Sequence, residues 1–120
     1  MSKSKIVVLT DISMITVIVQ RGEADKVVRA ARDAGSEGAT IYFGRGSGVR
    51  ERLGVLGLAV EAEKEVVNIL VANDQVDRIF ETIYAAAKLD TPGMGIIFVT
   101  QLEKAATHIP EEMLEKLPKD

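Results

Sequence analysis

Apolar and polar residues along the first half of the chain predict a strand, a helix and a second strand. The run MITVIVQ (14–20) is rich in β-branched residues, as a buried strand requires. Residues 23–35 carry apolar side chains at helical spacing, and Gly35 is suited to end that helix. The run ATIYF (39–43) predicts the second strand.

The second half repeats this order of elements. EVVNILVA (65–72) predicts a strand, and residues 73–88 give the clearest helical pattern in the chain. Asn73 or Asp74 is suited to cap the start of this helix, because both side chains accept hydrogen bonds from backbone amides. GIIFVTQLE (95–103) predicts the last strand.

A weak internal repeat relates the two halves. The segments that begin at Ile18 and Leu70 align an apolar pair, a polar turn and an aspartate, Asp25 over Asp77. GATIYF and GMGIIF then coincide as well. The order βαββαβ predicts an α+β, ferredoxin-like fold: a four-stranded antiparallel sheet with two helices on one face and a long loop between strands 2 and 3.

The other face of the predicted sheet has no helix to cover it. VVNILV and IIFV are apolar on both sides of the strand, a pattern typical of strands buried on both faces. We therefore expect the chain to oligomerise through this bare face. The segment 4–9 is a candidate for an additional strand.

The length of 120 residues favours a single domain, 1–120. We expect residues 1–13 to be an N-terminal extension and residues 108–120 a C-terminal tail with one short helix after Pro110. Residues 44–60 form the long connection between strands 2 and 3. Loops of this length are uncommon in compact domains and are often functional.

Composition removes several classes of function. The net charge of −3 disfavours a nucleic-acid-binding protein, which would carry a basic excess. The absence of cysteine excludes disulfides and thiolate chemistry, and a single histidine, His108, cannot build a multi-histidine metal site. No apolar run is long enough to span a membrane, and the N-terminal residues do not resemble a signal peptide. We expect a cytoplasmic protein without a metal site.

Two glycine-bearing stretches are the candidates for binding chemistry. YFGRGSGVRERLG (42–54) combines glycines with arginines, which bind phosphate or an acidic partner, but it also fits a solvated loop. PGMGIIF (92–98) fits a nest of backbone amides around a phosphate, and equally a plain turn from helix to strand.

The two stretches and the βαββαβ order together resemble the P-II signalling proteins. Family members carry a pattern like A-A-R-T-G-x-x-G-D-G-K-I-F-V, and IYAAAKLDTPGMGIIFV is similar to it. The matching residues are Ala86, Ala87, Gly93, Gly95, Ile97, Phe98 and Val99. FGRGSG resembles the F-G-R-Q that opens the long loop of the family, and Lys64 is placed like the lysine that closes it.

The resemblance implies a homotrimer that binds ATP or ADP in clefts between subunits. It also implies that the long loop docks on a transporter, an enzyme or a transcription regulator. The predicted nucleotide-binding residues are Gly44, Arg45, Gly46, Ser47, Gly48, Lys64, Gly93, Met94 and Gly95. The predicted partner-binding residues of the loop are Arg50, Arg52, Leu53 and Leu56.

Some residues depart from the family pattern. Ile96 stands where the family has its phosphate-binding lysine, and Met94 stands in place of an aspartate. Gly46 replaces the glutamine that helps to hold magnesium and 2-oxoglutarate. The resemblance therefore implies ADP, AMP or ATP as the ligand. With these departures, the chain looks like a divergent branch of the family, and such branches include regulators that prefer ADP or AMP.

Two other functions are compatible with this fold. One is a small ferredoxin-like enzyme in which the loop is a lid over an anionic substrate, although no acid–base pair is evident. The other is a structural or ion-tolerance trimer of the CutA sort. We expect a regulator that needs no cofactor and is not an enzyme.

Overall fold

The computed structural model describes residues 6–36, 38–46, 62–108 and 112. Their elements, in chain order, are the strands β1 (Val8–Leu9) and β2 (Ile12–Gln20), helix α1 (Ala24–Asp33), strands β3 (Thr40–Gly46) and β4 (Ala62–Ala72), a 3₁₀ turn (Asn73–Gln75), helix α2 (Val76–Ala86), and strands β5 (Gly95–Leu102) and β6 (Ala105–Ala106). The predicted βαββαβ order is confirmed, with β2, β3, β4 and β5 as its four strands.

The four long strands form one antiparallel sheet in the order β3-β4-β2-β5. Strand β2 pairs along nearly its whole length with β4 on one side and with β5 on the other, so it is the centre of the fold. Strands β1 and β6 pair with each other as a separate two-stranded ribbon. The expectation of a strand within residues 4–9 is thus met by Val8–Leu9.

The odd-numbered residues of the sheet lie on the side of the two helices, and the buried ones among them form the core. Ile15, Val17, Val67 and Ile69 are completely buried, and Ile79 of α2 packs against them. The even-numbered residues lie on the bare face. In each strand, side chains alternate between faces, so the strand register alone decides which residues share a surface.

The bare face is largely apolar at its surface. Its large side chains Tyr42, Leu70, Ile96 and Phe98 are each at least two-fifths exposed in the single chain. Near its middle, the Thr16 hydroxyl donates to Oδ1 of Asn68 at 2.8 Å. Contiguous exposed apolar surface of this kind marks an interaction face.

Both helices end in the same hydrogen-bonded motif. After α1, the Gly35 N–H donates to the carbonyl of Arg32 at 3.0 Å, and the Ser36 N–H donates to that of Ala31 at 2.9 Å. Gly35 has a φ of +115°, which confirms it as the residue that ends the helix. Lys88 occupies the equivalent position after α2, with a φ of +54°.

The start of α2 differs from the prediction. Asn73 and Asp74 lie in the 3₁₀ turn, and α2 begins only at Val76, with Gln75 as its N-cap and no side-chain capping bond. The Asn73 side chain instead accepts a 2.6 Å hydrogen bond from the hydroxyl of Ser13. A bond to strand β2 has taken the place of the predicted cap.

The start of α1 is capped from another strand. Oε1 of Glu65, on β4, accepts hydrogen bonds from the Gly22 N–H at 2.6 Å and the Ala24 N–H at 3.0 Å. The Ala24 amide is among those that a helix leaves without internal partners, and a carboxylate there also meets the positive end of the helix dipole.

Replacing Glu65 with alanine is expected to lower the free energy of unfolding by about 1–2 kcal/mol, since both amides lose a charged acceptor. Urea denaturation followed by circular dichroism measures this change. Glu63→Ala is the control: within the described ranges, Glu63 forms one exposed ion pair, with Arg21, whose loss costs about 0–0.5 kcal/mol. Equal effects of the two substitutions would contradict the capping role.

Candidate functional site

The predicted site residues within the described chain gather at one end of the sheet. Strand β2 ends at Gln20 and β3 at Gly46, while β4 begins at Ala62 and β5 at Gly95. Because neighbouring strands are antiparallel, these four termini lie side by side. The connection predicted to start at residue 44 starts later, since Gly44, Arg45 and Gly46 still belong to β3.

A polar row crosses the bare face at this end. Gly44 is opposite Lys64, and Lys64 is opposite Gln20. Nε2 of Gln20 donates to the carbonyl oxygen of Gly93 at 2.6 Å. The row therefore runs from the edge strand β3 to the glycine turn before β5, a span of roughly 14 Å at the usual strand spacing.

An apolar row lies directly beside the polar one. Tyr42, Val66, Ile18 and Ile96 are in register across the four strands. Ile96 is 56% exposed, so the position that carries the phosphate-binding lysine in the family pattern presents an aliphatic side chain here. The two rows together offer an apolar surface next to a polar edge with one cation, Lys64.

The glycine turn is more constrained than its sequence indicates. The Met94 N–H donates to the carbonyl of Thr91 at 3.2 Å, so this amide is already used within the turn. Gly95 has a φ of +143°, and a β-carbon there would overlap the carbonyl oxygen of Ile18. Among the described residues, no hydrogen bond from the Gly93 N–H is seen. This amide is therefore open to a ligand, whereas that of Met94 is not.

Arg45 is on the other side of the sheet from the polar row. It is opposite Glu63, and both lie on the helix side. With Arg21, Phe43 and Gly44, they line a shallow hollow of about 390 Å³. The structure therefore brings Gly44, Lys64 and the glycine turn together but separates Arg45 from them.

Six of the predicted residues lie outside the described part of the chain. They are Ser47, Gly48, Arg50, Arg52, Leu53 and Leu56. Gly46 is described only as the last residue of β3, opposite Ala62. The structure adds Gln20 and Arg21, whose partners lie far along the chain and which no local sequence motif marks.

A family model describes residues 12–112 as Nitrogen regulatory protein P-II. The chain belongs to the P-II family. Nitrogen regulatory protein P-II of Microchaete diplosiphon is 34% identical over 95 residues, which cover 75% of this chain and 85% of that protein. The P-II protein of Pyropia yezoensis is 30% identical over the same shares of the two chains.

Solved P-II structures have the same fold. The Bacillus subtilis GlnK–ATP complex superposes with a TM-score of 0.63 and 20% identity, over 78% of this chain and 84% of that one. Arabidopsis thaliana PII bound to citrate superposes with a TM-score of 0.59 and 26% identity, over 78% and 79% of the two chains. These likenesses confirm the ferredoxin-like fold.

Membership in the P-II family confirms the predicted class of function. P-II proteins are signalling regulators and not enzymes, so the lid-bearing enzyme and the CutA-like trimer are set aside. No helix in the described ranges is long and apolar enough to cross a membrane. The same ranges contain no cluster of histidine and carboxylate side chains that could hold a metal ion.

Proposed function

We propose that this P-II protein is a homotrimer that binds an adenine nucleotide between subunits and thereby regulates a partner protein in the cytoplasm. The observation that carries the proposal is the pair of rows at one end of the bare face. A purine needs an apolar surface, and its phosphates need a cation and backbone amides beside it. The apolar and polar rows supply these groups side by side.

The site in one subunit consists of Gly44, Lys64 and the turn Gly93–Gly95, with Gln20 holding the turn through the Gly93 carbonyl. Gly46 is also proposed to bind the nucleotide. The same holds for Ser47 and Gly48, which lie outside the described residues. The site is open toward the bare face, where another subunit would close it. Arg45 does not join this row within its own subunit.

The homotrimer rests on the bare face and on the resemblance to P-II proteins. An apolar sheet face that carries Leu70, Ile96 and Phe98 at the surface is stabilised when a second sheet covers it. The number of subunits follows the P-II pattern. In such an assembly, the rows of one chain face a cleft with its neighbour.

The ligand is a nucleotide of low charge, ADP or AMP in preference to ATP. Each added phosphate needs a further cation, and at Ile96 the site presents an aliphatic side chain. Nucleotide binding would favour one state of the connection between β3 and β4, and that connection, with Arg50, Arg52, Leu53 and Leu56, would bind a transporter or a metabolic enzyme.

Replacing Ile96 with lysine is expected to raise the affinity for ATP about tenfold relative to AMP, because one charge-assisted hydrogen bond to phosphate is worth roughly 1.5–3 kcal/mol. Calorimetric titration of both nucleotides measures the ratio. The control is Ile41→Lys, another exposed isoleucine, which lies on the helix side of the edge strand β3. A ratio that Ile96→Lys leaves unchanged would remove the phosphate site from this position.

A further inference from the structure

The hollow on the helix side of the sheet adjoins the proposed nucleotide site at Gly44, which lines both. It lies at the end of β3, and its side chains are those of Arg21, Phe43, Arg45 and Glu63. The pairing of Arg45 with Glu63, and of Phe43 with the helix-capping Glu65, puts these residues on the face opposite Lys64. A ligand on the bare face cannot contact them through the sheet.

Phe43 is the most exposed aromatic residue of the described chain, at 70%. It is on an edge strand, and the core side chains of α1 and α2 pack over β2 and β4 instead. A single exposed apolar residue needs no explanation by itself. Phe43, however, has two arginines beside it, and aromatic residues together with arginine are enriched in protein–protein interfaces.

The hollow is lined by two guanidinium groups and one carboxylate, so the charges of its lining do not cancel. Arg21 forms an ion pair with Glu63 at 3.0 Å, with both side chains more than half exposed. Arg45 has no ion-pair partner among the described residues. The hollow is therefore locally cationic on a chain whose net charge is −3. Such a patch is complementary to an acidic group.

The nearby helix end does not supply the anion binding. The Gly22 and Ala24 amides at the start of α1 are both taken by Glu65. Recognition of a negative group at the hollow therefore depends on the guanidinium groups of Arg21 and Arg45. These are well suited to carboxylates, which accept two hydrogen bonds from one guanidinium.

The shape of the hollow favours a protein segment over a small molecule. Sites for small ligands enclose most of the ligand surface. Here Arg21 and Phe43 are both about 70% exposed, so the hollow has low walls. A protein segment could cover Phe43 with a large apolar side chain and place carboxylates beside the two arginines.

We propose that this hollow is a docking site for an acidic segment of a partner protein, with one apolar side chain that covers Phe43. The proposal rests on the proposed role of the chain as a regulator of a partner. It adds to the connection between β3 and β4 a second contact on a fixed part of the sheet. It also assigns Arg45 to partner binding.

The test uses a short synthetic peptide with glutamates on both sides of a single leucine. Two matched peptides have glutamates without leucine, and lysines around leucine. Titration into the ¹⁵N-labelled full chain is expected to shift the amide signals of Phe43 and Arg45 only with the first peptide. Phe43→Ser is expected to weaken that binding at least tenfold. The variant with Arg21→Glu and Arg45→Glu is expected to bind the lysine peptide instead.

Three results would overturn the docking proposal. The first is the absence of peptide-dependent shifts, and the second is equal binding of the glutamate and lysine peptides that contain leucine. The third is that the glutamate peptide without leucine, or inorganic phosphate, causes the same shifts. That result would make the hollow a small-anion site. Nucleotide affinity is measured on Arg21→Glu and Phe43→Ser in parallel and is expected to be unchanged. If the wild-type protein did not bind a nucleotide, the proposed function would be refuted. The peptide titration would still decide the docking site by itself.

Discussion

Replacing Gly95 with alanine is expected to cost about 3–5 kcal/mol of unfolding free energy, because its added methyl group has the closest contact with the backbone. The new β-carbon would overlap the carbonyl oxygen of Ile18, and its nearest other neighbours belong to Val19. Both lie on the central strand β2, which β4 holds on its other side, so the backbone has little room to shift. The φ of +143° adds strain for any residue with a side chain.

Substitutions at two other glycines distinguish the cost of the overlap from the cost of the backbone strain. Gly22 has a φ of +93° with open space around it, so Gly22→Ala is expected to cost only about 1 kcal/mol. Gly38 has neither feature, and Gly38→Ala is expected to stay within about 0.5 kcal/mol of the wild type. Urea denaturation of the three variants gives the order. A mild effect at Gly95 comparable to Gly22 would show that the β2–β5 pairing is looser than described.

Replacing Phe98 with aspartate is expected to convert the proposed homotrimer into single folded chains. Phe98 is opposite Thr16 on the bare face and is 41% exposed in the single chain, so the fold tolerates a carboxylate there. In the assembly, the same carboxylate would be buried without a partner in every subunit. A buried unpaired charge costs about 3–5 kcal/mol.

Sedimentation equilibrium measures this change as a fall from three chain masses to one. Tyr84→Asp is the matched control, because Tyr84 is 42% exposed but lies on α2, away from the sheet. It is expected to leave the assembly intact. If Phe98→Asp remained a trimer, the bare face would not be the subunit interface.

The sequence was sufficient to predict the sheet and helices, because strand and helix periods are local. The internal repeat and the β-branched runs give β2, α1, β4 and α2 within a few residues. The predicted start of α2 is wrong because of a contact between residues that are far apart in the chain. Asn73 has the side chain of a good cap, but its Oδ1 accepts a hydrogen bond from Ser13, sixty residues away in the chain.

The site was predictable as a region but not as a set of contacts. Which residues of β3 and β4 share a face depends on the pairing register of these two strands. The sequence does not determine that register, because a long connection joins the strands after Gly46. This register puts Lys64 on the bare face and Arg45 on the helix side. Gln20 could not be predicted either, because its partner, the Gly93 carbonyl, is brought close only by the β2–β5 pairing.

Glycine itself was ambiguous in the sequence. PGMGIIF fits a phosphate nest and a turn equally well, and the structure shows that Gly95 is needed for strand pairing. The Gly93 amide, by contrast, is compatible with a ligand. One motif thus serves both packing and the proposed binding site, at positions two residues apart.

A calorimetric titration of the purified protein with ADP, AMP and ATP tests the proposed nucleotide site. We expect saturable binding of one ADP or AMP per chain, weaker binding of ATP, and at least a tenfold loss of affinity for all three in Lys64→Ala, since one charged contact to phosphate is worth more than about 1.4 kcal/mol. Binding that Lys64→Ala leaves unchanged, or no heat with any of the three nucleotides, would contradict it.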